Sequence, residues 1–416
     1  MTVGVETTGE RALTAQTTPE RILAAAEARF ARHGYTGARL VDITADAGMT
    51  TGALYRYFPG KEDLPPVLME HLDADLASSI GGATNRRAAL EAMVATLANH
   101  EGALRLLFER SKWQSADNPV KDPIHGATKA LARQLELELS ARKAREVSSF
   151  VTATLFHYTR ASHDGGLDPR PHAAVAHVVE ALLDSGFYRK DARLPETSAA
   201  PRDPARFTPF IRWQPSADKV LPRSPKGVRT RLAIQEAAAR VFDRVGLAGA
   251  SMNDIAEEAG VASGSAYRYF VDKADVLRSM QAEVEEAIIR ESHLPLDGGR
   301  LSLRAQMLAY LACYERHLGS IRAWLELAEP GTDMAAAWNG MRAQFIDRVV
   351  KVLQHGVASG IAREDLDLLT VAQLHSIAYE AAAYGRFVRN ERHTSPSQLA
   401  ETMERLFIGG FIGSQS

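Results

Sequence analysis

Two runs, Tyr55-Arg56-Tyr57-Phe58 and Tyr267-Arg268-Tyr269-Phe270, hold the side chains best suited to chemistry in this chain. In the second run, Tyr267 and Tyr269 can donate hydroxyl hydrogen bonds to phosphate oxygens. Arg268 can pair with a guanine edge or with a phosphate. Just upstream, Ser263 and Ser265 are short and polar and can approach base edges and phosphates closely. Lys273 follows at the start of the next expected helix, where its charge and the free backbone N–H groups suit a phosphate. This is recognition chemistry. No H-E-x-x-H, G-x-S-x-G or Walker-type loop is present, so no catalytic residue is assigned and an enzyme is not expected. Cys313 is the only cysteine, and the spacing of His172 and His177 does not suit one helix face, so neither a metal site nor a cofactor is expected.

The two runs belong to a longer repeat. Gly34–Phe58 reads GYTGARLVDITADAGMTTGALYRYF and Gly246–Phe270 reads GLAGASMNDIAEEAGVASGSAYRYF, an ungapped offset of 212 residues. From Ile22 to Leu64, 19 of 43 positions are identical, which points to duplication. After Leu64 the similarity fades, leaving a trace between Ala103–Glu109 and Ser320–Glu326.

Each copy spells three helices. Pro19 suits a first helical turn, and Ile22, Leu23, Ala26 and Phe30 follow on one apolar face. Gly34 can end that helix in a left-handed conformation. A short helix is expected over about Leu40–Ala47, a tight turn at Gly48, and a second short helix over about Thr51–Tyr57. In the second copy Ile234, Ala238, Val241 and Phe242 line the first helix. Ser251 is placed to cap the second, Gly260 marks the turn, and Ser263–Tyr269 form the third helix. Two short helices around a glycine turn describe a helix-turn-helix, whose second helix fits the ~12 Å major groove of B-DNA.

Both copies resemble the DNA-binding domain of TetR-family repressors. The resemblance rests on Gly34, Asp42-Ile43, Ala47-Gly48, Tyr55–Phe58 and Lys61-Glu62-Asp63, and on Gly246, Asp254-Ile255, Ala259-Gly260, Tyr267–Phe270 and Lys273-Ala274-Asp275. It implies an all-α fold of two TetR-like units, each a helix-turn-helix domain followed by a helical ligand and dimerisation domain. It further implies that Tyr55 and Lys61, with Tyr267 and Lys273, clamp phosphates. Thr51, Ala53, Arg56 and Tyr57 would face the groove in copy one, and Ser263, Ser265, Arg268 and Tyr269 in copy two. Asn253 lies within reach of a base. Thr50 and Ser251, each just ahead of a short helix, are counted with the same surface. Arg39 stands where the family has a Ser or Thr cap and is available to a phosphate instead. Ala266 replaces the aliphatic residue matched by Leu54, and Pro65-Pro66 are expected to kink or delay the fourth helix of copy one. The competing reading of these aromatics is ordinary packing, which Phe58 and Phe270 are expected to follow.

The remaining stretches read as amphipathic helices at 84–115, 128–160, 301–329, 334–359 and 366–390. Phe108, Trp113 and Phe156 in repeat one, with Tyr310, Tyr314, His317, Trp324 and Tyr379 in repeat two, are candidate walls of a small-molecule pocket; ordinary core is the alternative for each. His157, Tyr158, Trp338 and Phe345 extend the same aromatic sets. Segments 172–189 and 366–390, with a last helix near 397–412, are candidates for a bundle that pairs the repeats. Residues 191–227 hold seven of the 18 prolines and read as an extended connector, although Phe207, Phe210, Ile211 and Trp213 suggest that it packs. Arg223, Lys226, Arg229 and Arg231 before copy two form a basic arm that copy one lacks. The expected domains are a disordered tail (1–18), heads at 19–66 and 228–280, bodies at 67–190 and 281–413, and the linker. Net charge of −2 excludes a globally basic protein but not a local positive face. With no signal peptide and no span of about 18 apolar residues, a cytoplasmic protein with no membrane partner is expected. Its expected partners are a double-stranded operator, an imperfect palindrome, and an unnamed small-molecule effector. A fused pseudo-dimer is the expected geometry, with a homodimer of four heads as its rival. A sensor or partner-binding protein with one decayed head is the alternative function.

Overall fold

The computed structural model describes residues 17–114, 120–186, 222–292, 303–328, 331–391 and 394–410. The tail before residue 17 and the linker through residue 221, with its aromatic cluster, lie outside the described residues. Within them no strand is formed, and one isolated antiparallel bridge joins Gly186 to Ile408. No described helix is long and apolar enough to cross a membrane.

The chain divides into two compact units, residues 1–163 and 164–416. Unit 1 opens with α1 (Thr18–Gly37), α2 (Leu40–Asp46) and α3 (Thr51–Leu54). It continues with α4 (Leu64–Gly81), α5 (Arg86–Asn99), α6 (Glu101–Phe108), α7 (Pro123–Leu135) and α8 (Ala141–His163). Unit 2 holds α9 (His172–Ser185), then α10 (Pro225–Gly249), α11 (Met252–Glu258), α12 (Ser263–Tyr269) and α13 (Lys273–Ser292). Helices α14 (Leu303–Arg316), α15 (Leu318–Leu327), α16 (Asp333–Ala358), α17 (Leu368–Ala383) and α18 (Pro396–Phe407) complete it.

The helix-forming logic of the two heads is the same. Ile22, Ala26 and Phe30 on α1 close over Ile43 and Leu54, all fully buried, as Ile234, Ala238 and Phe242 on α10 close over Ile255, Ala266 and Phe270. Gly34 and Gly246 take φ of 64° and 71°, a left-handed conformation that kinks α1 and α10 and that a side chain would oppose. The expected long helices 84–115 and 301–329 are each broken, at His100 and at His317, where the backbone leaves helical geometry. Helix α9 ends repeat one in sequence but packs in unit 2 against α17 and α18. Polar contacts reinforce this packing. Arg170 pairs with Asp367 at 2.6 Å, Arg363 donates to Ser185 Oγ at 2.9 Å, and Gln373 donates to the Asp168 carbonyl at 3.0 Å.

Two expectations change. The basic arm before copy two is helical from Pro225, so Lys226, Arg229 and Arg231 belong to α10 and the connector ends sooner than residue 227. Pro225 sits in the first turn, where its missing N–H is no loss. The prolines of copy one delay the fourth helix but do not kink it. Pro65 cannot donate to the Lys61 carbonyl, so Lys61–Asp63 form a 3-10 turn and α4 starts at Leu64, whereas α13 starts at Lys273.

Candidate nucleic-acid interface

In copy two the third helix is regular from Ser263 to Tyr269. In copy one it is shorter than expected: α3 ends at Leu54 and Tyr55–Tyr57 continue as turns. The difference coincides with Pro59, which disfavours helical geometry at Phe58; copy two has Val271 there. Tyr55, Arg56 and Tyr57 are all exposed, as are Tyr267 and Arg268. Tyr55 is 54% and Tyr267 45% exposed, so both tyrosines reach solvent. Tyr269 differs. It is half-buried, and its hydroxyl lies beside Gly227 on α10.

The turns that aim these helices are built alike. Gly48 and Gly260 take φ of 69° and 66°. Thr51 is half-buried and its hydroxyl meets that of Thr44 at 3.2 Å, tying α3 to α2. Thr50 caps α3 by backbone only and stays exposed, and Ala53, Ser263 and Ser265 are partly exposed. Each head is braced across its outer side by an ion pair at one equivalent acidic position. Arg29 holds Asp46 at 2.5 and 2.7 Å, and Arg240 holds Glu258 at 2.7 Å.

Ser251 accepts from the Asp254 N–H at 3.2 Å while Asp254 accepts from the Ser251 N–H at 2.9 Å, a full capping box. Hydrogen bonds from the Ser251 hydroxyl, at 2.7 Å, and then from the Ser251 N–H hold the Asp254 carboxyl below its usual range. Arg39 makes no cap bond; it pairs with Asp42 at 2.7 and 3.0 Å and remains exposed, as does Asn253. The two lysines are already engaged. Lys273 donates to the carbonyls of Ala248 and Ala250 at 3.1 and 2.7 Å, which leaves its third N–H for a phosphate. Lys61 sits 4.4 Å from the centre of the Tyr35 ring, and burial there pushes its pKa down.

A second constellation builds on the trace of similarity between Ala103–Glu109 and Ser320–Glu326. Residues 100–109 read HEGALRLLFE and residues 317–326 read HLGSIRAWLE, sharing His, Gly, Arg and Glu at an offset of 217. Their shared Gly, Arg and Glu all meet the first helix of the adjoining head. Gly102 lies against the Glu27 carbonyl and Gly319 against the Ala239 carbonyl, so closely that a Cβ at either would collide with backbone. Arg105 donates to the Ala31 carbonyl at 2.9 Å, and Arg322 pairs at 3.4 Å with Asp243, the equivalent of Ala31. Glu109 accepts the Tyr35 N–H at 2.7 Å, and Glu326 accepts those of Leu247 and Ala248 at 3.1 and 2.9 Å. Each carboxylate therefore satisfies backbone donors released by the glycine kink. His100 adds a clamp special to repeat one. It bridges Glu27 of α1 at 3.3 Å and Asp75 of α4 at 2.9 Å, and Glu27 chiefly raises its pKa. Ala239 replaces Glu27 in repeat two.

The aromatic candidates group differently from expectation. In unit 2, Tyr310, Tyr314 and Tyr379 join one cluster with Phe345, His375, Phe387 and Phe407, ring centres 5.0–6.1 Å apart. Trp324 packs instead on Trp338 at 5.2 Å, and His317 starts α15. Beside the cluster, Arg342 grips Glu380 through two 2.8 Å bonds, and Trp338 donates to the same carboxylate at 3.2 Å. Burial opposes the Arg342 charge, yet Glu380 holds its pKa above the ordinary value; burial raises Tyr310 well above its own. In unit 1, Phe108 meets His157 edge-on at 4.7 Å, Trp113 donates to the Leu106 carbonyl at 2.8 Å, and Phe156 is fully buried.

The family model described as "Bacterial regulatory proteins, tetR family" matches residues 22–65 and 234–280, the two heads. The HTH-type transcriptional repressor DrrR1 of Streptomyces coeruleorubidus is 36% identical over 95 residues, 23% of this chain and only 35% of DrrR1. The HTH-type transcriptional regulator BetI of Vibrio vulnificus is 26% identical over 200 residues, 46% of this chain and 93% of BetI. A solved structure of the fatty acid degradation regulator FadR from Bacillus halodurans matches at 20% identity and a TM-score of 0.35, over 46% of this chain and 98% of FadR. That family's N-terminal domain is thus matched at two separate places, in tandem within one chain.

Proposed function

We propose that the chain is a sequence-specific DNA-binding transcriptional regulator, a repressor released by a small-molecule ligand, whose two unlike heads serve one operator as a fused pseudo-dimer in the cytoplasm. The observation that carries the reading is the exposed Tyr-Arg run, presented twice after an identical glycine turn. Exposed Tyr55, Arg56, Tyr57, Tyr267 and Arg268 supply phosphate and base-edge donors. The reading helices differ, Thr50–Leu54 against Ala262–Ala266, so the operator is an imperfect palindrome.

Two heads, each followed by a helical body, are proposed, and the helix starts at Thr18 and Pro225 support where the heads begin. The aromatic cluster around Tyr310 and Tyr379, with the Arg342–Glu380 pair beside it, is the proposed effector site of unit 2. The seam from Gly102 to Glu109 and from Gly319 to Glu326 couples each body to its head. An effector releases the operator only if it binds more tightly to a state with displaced heads. The test is Arg56→Ala and Arg268→Ala made separately, with affinity measured on a duplex selected by the full chain from a random-sequence pool. Each variant is expected to bind at least ~10-fold more weakly, from the loss of one good base or phosphate contact. If neither changes affinity, the DNA-reading conclusion is wrong.

A further inference from the structure

The two heads differ most in what precedes their reading helices. Helix α10 has 25 residues against 20 for α1, and the excess lies at its start. Between Pro222 and Ile234 stand Arg223, Lys226, Arg229 and Arg231 with no acidic residue; the equivalent stretch of copy one holds Glu10, Arg11, Glu20 and Arg21 and is neutral. Arg223, Lys226 and Arg229 are exposed, and none has an ion-pair partner among the described residues. The extra turn is fastened to the reading helix. Gly227 is buried, with the Tyr269 hydroxyl beside it, and the Arg231 guanidinium lies 5.3 Å from the centre of the Phe270 ring.

From this we propose that the first turn of α10, with Arg223 ahead of it, is a second phosphate-binding surface, which extends the footprint of head two beyond its half-site. The inference rests on the DNA-reading conclusion above and adds an asymmetry to it. The surface is continuous with the reading helix because the Tyr269 hydroxyl at its end lies beside Gly227 in the added turn. Five further helical residues lengthen the contact by about 7.5 Å, close to two base-pair steps. Charge without base-edge groups makes the contact sequence-independent and salt-sensitive. Head one, with a neutral equivalent, has no such anchor. The chain is therefore held on DNA more firmly at one half-site than at the other.

The test compares the full chain with the triple variant Arg223→Ala, Lys226→Ala, Arg229→Ala. A control of equal charge loss, Lys129→Ala, Arg133→Ala, Arg142→Ala, removes exposed cations from α7 and α8. Affinity for the selected duplex is measured between 50 and 200 mM salt, with hydroxyl-radical footprinting. Loss of three phosphate contacts lowers the salt slope by about 2.7, so the unaltered chain should lose about 40-fold more affinity than the variant over that range. Protection should shorten by about two base pairs at one end of the operator only, and the control should keep the original slope. The inference is overturned if the triple variant keeps slope and footprint while Arg268→Ala weakens binding, or if the control loses slope equally. A chain with no salt-dependent duplex binding overturns the DNA-reading conclusion, and this surface with it.

Discussion

Replacing the seam carboxylates should cost unequal amounts in the two repeats, although they do the same job. Glu326 accepts two backbone N–H groups, from buried Leu247 and exposed Ala248. A hydrogen bond to a charged acceptor contributes about 1.5–3 kcal/mol, and water replaces it at the exposed amide, so Glu326→Ala should cost about 2 kcal/mol. Its neighbour Arg322 keeps Asp243 and the Phe387 carbonyl. Glu109 accepts one backbone N–H but also partners Arg105 at 3.2 Å, and Arg105 is only 2% exposed. Glu109→Ala therefore strands a buried guanidinium, for which about 3–5 kcal/mol is the usual penalty; the bond to the Ala31 carbonyl keeps the expectation near 3. Native-state hydrogen exchange on the full chain reads both units separately. Amides of Leu247 and Ala248 should exchange about 30-fold faster in Glu326→Ala, since about 1.4 kcal/mol is tenfold, and α1 amides should be affected more strongly in Glu109→Ala. Equal costs in the two repeats would refute the assignment of Arg105 as a partner buried at Glu109's expense. Unchanged exchange at Tyr35, Leu247 and Ala248 would refute the capping role altogether.

Three further outcomes follow from the same geometry. Gly319→Ala should drive α15 off α10, because the Ala239 carbonyl that meets the new Cβ is backbone and cannot yield; a loss of about 1–3 kcal/mol in denaturant unfolding is expected, and a neutral outcome would mean that the helices are not so close. The His100 clamp should strengthen unit 1 at low pH. Its folded pKa is raised above 6.5, so the stabilisation is full below 6.5 and fades as pH rises through the folded value. His100→Gln should abolish that pH dependence in thermal melts, and a melt that weakens toward acid over the same window in the unaltered chain but not in His100→Gln would reverse the assignment. Glu380→Gln should destabilise unit 2 by about 3 kcal/mol by leaving the buried Arg342 charge without its counter-ion; a loss below about 1 kcal/mol by the same measurement would mean the pair is hydrated.

Local signals were readable in the sequence and long-range ones were not. Glycine at 34, 48, 246 and 260 marks backbone that takes positive φ, and the apolar spacing around Phe30 and Phe242 marks the buried faces. The helix onset at Leu64 follows from Pro65 having no N–H. The seam shows in the sequence only as the trace between Ala103–Glu109 and Ser320–Glu326, at an offset of 217 where the heads run at 212, and nothing in that trace reports its contact with the first helix of each head. His317 consequently reads as a pocket residue, when its place in sequence matches His100 at the start of a seam helix. The Arg342–Glu380 pair escaped for a different reason. It joins α16 to α17, and no periodicity in either helix reports which charge faces which. Segments 172–189, 366–390 and 397–412 read as one bundle, and α9 packs on α17 and α18.

The central claim is that one chain brings two unlike reading heads to one operator. Light scattering of the chain bound to its selected duplex, combined with hydroxyl-radical footprinting, tests it most directly. One chain per duplex is expected, with two protected half-sites about one helical turn apart, and loss of protection at one half-site in Arg56→Ala and at the other in Arg268→Ala. Two chains per duplex with chemically identical half-sites, or both half-sites lost together in either variant, would contradict it.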